Sequence, residues 1–104
     1  MKNKHIKAGQ EVPIELRKEV YREALKVIES NKDKSNGFGL CYFLLMVLYG
    51  ANESRQVYYH QKDLTPFRWH KTPVMFPELK DFVGENYGES KTNNERIEFL
   101  KSVI

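Results

Sequence analysis

Gly37-Phe-Gly-Leu-Cys-Tyr-Phe-Leu-Leu-Met-Val-Leu-Tyr-Gly50 is the one run in this 104-residue chain that is apolar on every side. Leu40 to Tyr49 contains no charge, no proline and no glycine, and Val47 is its single β-branched residue. Leu and Met lose little rotamer freedom in a helix and Cys is a small filler, so the run predicts a helix with core on all faces. Crossing a bilayer takes about 20 apolar residues. Here the run stops at Gly50, with Glu53 and Arg55 close behind, which excludes a transmembrane segment and makes this the buried central helix.

Working outward toward the N-terminus, Ser30 to Asn36 is polar and Asn36-Gly37 is a turn signal. Before it, Leu16, Val20, Tyr21, Ala24, Leu25 and Ile28 recur at helical spacing behind Pro13, whose missing N–H costs nothing in a first turn. The opposite face alternates Glu15, Lys18, Glu19, Arg22, Glu23 and Lys26, a solvated surface rather than a site. Met1 to Gln10 carries Lys2, Lys4, His5 and Lys7 with almost no apolar content, so residues 1–10 are expected to form a frayed basic tail and 11–104 one helical domain.

Toward the C-terminus the pattern loosens. Ala51 to Gln56 is turn-like, and Val57-Tyr58-Tyr59-His60 fits either a short strand or a first helical turn. Thr65-Pro66 and Thr72-Pro73 interrupt any long helix, which leaves an irregular middle segment. Phe76 to Val83 reads as a short helix closed by Gly84, and Glu85 to Lys91 as a loop. Thr92 and Glu95 then form a T-x-x-E capping box opening a last helix that turns Ile97, Leu100, Val103 and Ile104 inward. The expectation is a mainly α, compact single domain.

The totals set the class. Forty per cent hydrophobic and 30% charged residues describe a globular rather than a disordered chain. The lone Cys41 excludes an internal disulfide framework and suits a reducing compartment, and the basic start is followed by Ala-Gly-Gln-Glu rather than an apolar stretch, so the expected location is cytoplasmic. A net charge of +3 is too small to argue for nucleic acid. Its distribution is more telling. Residues 55–71 hold Arg55, Lys62, Arg68 and Lys71 against Asp63, a net +3, and residues 78–89 hold Glu78, Asp81, Glu85 and Glu89 against Lys80, a net −3. Such neighbouring segments invite internal docking or association between copies, and a homo-oligomer is expected.

Candidate chemistry is sparse. Cys41 follows a glycine-rich helix start, where the dipole lowers a thiol pKa, and with His60, His70 and Asp63 a Cys-dependent hydrolase can be written down. Against it, Leu40, Tyr42 and Phe43 surround the thiol, and free cysteine is among the residues most often buried. One Cys and three His give no zinc spacing, and the acids of 78–89 lack the alternation and central glycine of a calcium loop, so no metal or other cofactor is expected. Gly37 and Gly39 bring bare backbone to a helix start that could hold an anion, or simply make the turn. The best candidate is the segment interleaving Tyr58, Tyr59, Phe67 and Trp69 with Arg55, His60, Lys62, Arg68, His70 and Lys71. Bases stack on such aromatics while Arg and Lys pair phosphates. The same mixture also caps cores and marks protein interfaces.

Gly39-Leu40-Cys41, Phe76-Pro77-Glu78-Leu79 and Arg96-Ile97-Glu98-Phe99-Leu100 together resemble a diffuse group of short accessory proteins of phages and mobile elements, over about residues 37–104. Gln56 to Thr72 carries none of that likeness. The resemblance implies an accessory protein without catalytic machinery. It also implies antagonism of host defence in the host cytoplasm, by sequestering an anionic nucleotide signal such as a cyclic dinucleotide or by binding a defence protein.

Overall fold

A computed structural model describes residues 3, 5–7, 9–30, 39–50, 72–84 and 91–104. The Pro13 carbonyl accepts from the Arg17 N–H at 2.8 Å, and from there the apolar spacing carries α1 over Ile14–Ser30. Val20, Tyr21, Ala24 and Ile28 are buried, Leu16 and Leu25 half-buried, and Glu15, Glu19, Arg22, Glu23 and Lys26 face solvent. Leu40–Tyr49 forms α2, the helix expected from its apolar run. Leu40, Cys41, Leu44, Leu45 and Leu48 have no exposed surface. It ends at Gly50, whose φ of 102° lies where a Cβ would be strained and whose N–H donates to the Met46 carbonyl.

Three further helices complete the described chain. Thr72–Met75 is a single turn, α3, with Pro73 in its first turn. Leu79–Val83 is α4, closed by Gly84 at φ 57°. The helix expected from Phe76 thus begins three residues later. Phe76 donates its N–H to Thr72 O at 2.7 Å and so belongs to the end of α3, while the position before Pro77 is disfavoured in helical geometry. Asn93–Val103 is α5, with Thr92 and Glu95 exchanging both bonds of the capping box. Leu100 is fully buried, and Ile97 and Val103 are half-buried. Ile104 corrects the expectation: it lies past the last turn and is 40% exposed.

α1 is the hub, packed against α5 on one side and α2 on another, with α3 against α2 and α4 following α3. The Val12 N–H donates to Met75 O at 2.9 Å, pinning the start of α1 to the end of α3. Val12, Ala24, Met75, Phe76, Leu79 and Leu100 join the α2 leucines in one core cluster. The Cα radius of gyration, 12.7 Å, matches the roughly 13 Å of a compact 100-residue domain. Among the described residues there is no strand, and the fold is mainly α.

The described part of residues 1–10 departs from the tail expectation. Ile6 is only 3% exposed and belongs to the core. Its carbonyl accepts from Tyr49 Oη at 2.7 Å, and Asn3 Nδ2 donates to Leu48 O at 2.7 Å. Carbonyls in the last turn of a helix lack intrahelical partners, and Asn3 satisfies one for α2. A single isoleucine and one amide are enough to dock a segment that is otherwise basic.

Candidate functional site

The ligand residues suggested by composition, Arg55, Tyr58, Tyr59, His60, Lys62, Arg68, Trp69, His70 and Lys71, lie outside the described residues, as do Asp63, Phe67 and the Gly37 end of the glycine-rich start. Cys41 is described. It sits in the first turn of α2 with no exposed surface, inside the core cluster, and a thiol so enclosed has no approach for a substrate. Among the described residues no group of three or more His, Cys, Asp or Glu could hold a metal ion. No described helix is long and apolar enough to cross a membrane.

The structure instead brings together polar groups that apolar periodicity had passed over. Arg17 points from α1 into the interior, 8% exposed. Its Nη1 donates to Val12 O at 2.8 Å, its Nη2 to Glu78 Oε2 at 3.1 Å, and its Nε lies 2.9 Å from Glu78 Oε1, although the Nε–H is not directed at that oxygen. Tyr21, one turn on, donates its Oη to Glu78 Oε1 at 2.6 Å. One carboxylate from the turn before α4 therefore ties two consecutive turns of α1. Burial chiefly, then the bond to Glu78 and its charge, push the Tyr21 phenol far above its ordinary value, with Arg17 pulling the other way. Tyr49 is likewise raised by burial.

From Tyr21 a line of aromatic rings runs outward. Tyr21 meets Phe76 at 5.7 Å and Phe99 edge-on at 6.3 Å between centroids, and Phe99 stacks on Phe82 at 4.6 Å with 21° between planes. Lys91 Nζ lies 5.5 Å from the Phe82 centroid, within cation–π range. Beside the stacked pair, Glu78, Asp81, Phe82, Phe99, Ser102 and Val103 line a groove of about 410 Å³ between α4 and the C-terminal end of α5. It offers carboxylate oxygens, half-buried ring surface and the carbonyl end of a helix, a set suited to a cation carrying an apolar stem.

A sequence signal existed for part of this. Positions 17, 21, 24 and 28 form one helical stripe, so Arg17 lay on the inward face beside Tyr21, and Arg96, 4% exposed, stands four residues before the buried Leu100 on α5. For the Phe82–Phe99 pair there was none, because stacking depends on how α4 meets α5. No family model, no curated protein and no solved structure matches this chain.

Proposed function

We propose that this chain works by binding rather than by catalysis, as an accessory protein of the phage or mobile-element kind, and that its ligand is an anionic nucleotide signal such as a cyclic dinucleotide. The observation that carries the ligand class is the interleaving of Tyr58, Tyr59 and Trp69 with Arg55, Lys62, Arg68 and Lys71, with His60 and His70 among them. Burial of Cys41 supports binding over the thiol-hydrolase alternative, since the nucleophile that reading needs is enclosed. In this reading the protein acts in the host cytoplasm as a homo-oligomer, and sequestering the signal blunts a defence response. A second reading, inhibition of a host defence protein by direct contact, is favoured by the α4–α5 groove, whose acidic and aromatic lining suits a protein side chain better than a phosphate.

A thermal-shift screen with cyclic dinucleotides and linear nucleotides tests the first reading, because a ligand that binds only the folded state raises its melting temperature by mass action. A nucleotide that raises it by about 10–20 °C at 100 times its Kd, with the effect falling as salt rises, supports the proposal. No shift with any nucleotide, together with copurification of a host protein, overturns it in favour of the second.

A further inference from the structure

We propose that the α4–α5 groove docks an arginine side chain presented by a basic segment of a partner protein. Three features of the groove point the same way. Asp81 stands exposed at its wall as the carboxylate not already engaged, whereas Glu78, beside it, is compensated by Arg17. Ser102 and Val103 belong to the last turn of the 11-residue α5, where unsatisfied carbonyls put negative partial charge. Phe82 and Phe99 give half-buried ring surface, and Lys91 holds its ammonium 5.5 Å from the Phe82 centroid, the place on that ring that a docked guanidinium takes over. Lys80 and Lys101, on the same two helices, are not among the lining residues.

Arginine fits this set better than lysine. Its planar guanidinium pairs a carboxylate through two parallel N–H bonds and lies flat on ring surface, and its three-carbon stem covers apolar edges such as those of Phe82, Phe99 and Val103. A phosphate-bearing ligand is disfavoured here by Asp81 and by the helix end alike. This site is separate in sequence and opposite in charge from residues 55–71, so it stands or falls independently of nucleotide binding.

The test is fluorescence anisotropy of the full chain with a labelled glycine-spaced peptide carrying two arginines, alongside the same peptide with lysine or with citrulline in their place. The arginine peptide is expected to bind tightest and the citrulline peptide not at all. Asp81→Asn, at an exposed position that leaves packing intact, should weaken binding about fivefold. Amide shifts on adding the peptide should fall at Asp81, Phe82, Phe99 and Ser102, and adding a cyclic dinucleotide should leave the peptide affinity unchanged. Equal binding of the citrulline peptide, an unchanged affinity in Asp81→Asn, or shifts confined to other residues overturns the proposal. Self-association that is suppressed by both the peptide and Asp81→Asn also overturns it, by giving the groove to a second copy of this chain.

Discussion

Tyr21 Oη donates to Glu78 Oε1 at 2.6 Å, while the Arg17 guanidinium, one turn earlier on α1, holds the same carboxylate and caps the Val12 carbonyl. The three side chains tie α1 to the turn before α4 across 57 and 61 residues of sequence. Glu78 keeps 31% of its side chain in solvent, so water screens the ion pair while sparing part of its desolvation cost. Tyr21→Phe should cost about 1–2 kcal/mol by loss of a bond to a charged acceptor. Arg17→Met should cost about 1–3 kcal/mol, since Val12 O and Glu78 then lose donors. Urea melts of both variants check this, and values within about 0.3 kcal/mol of the parent would show the network contributes nothing. Because the folded phenol is raised, Tyr21 adds stability that is complete below its ordinary value of 10.0 and is lost as pH rises above it. Tyr21→Phe should flatten that alkaline decline.

The docking of Ile6 gives a second prediction. Ile6→Ala should cost about 2–4 kcal/mol, the usual range for truncating a buried isoleucine. A cost below about half a kcal/mol, measured in the same melts, would mean that the segment adds nothing to the core.

Thr72 offers a stabilising change. Its Oγ1 is fully enclosed and finds no hydrogen-bond partner. Valine has the same shape without the hydroxyl, so Thr72→Val should leave stability unchanged or raise it by up to about 1–2 kcal/mol. A loss of similar size would show that the hydroxyl is satisfied in solution.

The capping box predicts an acid limb. Glu95 is held below the ordinary carboxylate value of 4.5, first by its bond with the Thr92 backbone N–H, then by the Thr92 hydroxyl, with Lys91 and Arg96 assisting. A depressed folded value contributes stability that is present above the ordinary value and is lost as pH falls through the folded one. Helix content followed by circular dichroism from pH 6 to pH 2 should therefore start lower in Glu95→Gln and decline less than in the parent, and the difference between the two should close at the acid end. Parallel curves with a constant offset would contradict the assignment. Thr92→Ala, which removes the hydroxyl half of the box, should cost about 1 kcal/mol at neutral pH.

Much of the fold was legible because its signals are local. An uncharged run from Leu40 to Tyr49, a 3.6-residue stripe from Val20 to Ile28 and a T-x-x-E box each specify a helix without reference to the rest of the chain. The errors fell where tertiary contact decides. Ile6 is buried because Tyr49 and Leu48 offer it partners, and Ile104 is exposed because α5 ends before it. The start of α4 moved because Phe76 closes α3. The site was less legible. Arg17 lies in the apolar stripe, so its inward place follows from the spacing, whereas the groove exists only once α4 and α5 meet, and residues 55–71 lie outside the described residues.

Under the proposed function the protein binds an anionic nucleotide through Arg and Trp side chains of residues 55–71, and Cys41 serves only the core. Titration calorimetry on folded Arg55→Ala, Arg68→Ala, Trp69→Ala and Cys41→Ser variants, with the nucleotide that gives the largest thermal shift, separates the two roles. Trp69→Ala should cost about 1–3 kcal/mol of binding if a base stacks there. Either arginine variant should bind more weakly with a shallower salt dependence. Cys41→Ser should bind as the parent does and at most melt lower. If Arg68→Ala and Trp69→Ala keep the parent affinity while Cys41→Ser abolishes an activity, the claim is wrong and the thiol chemistry set aside above takes its place.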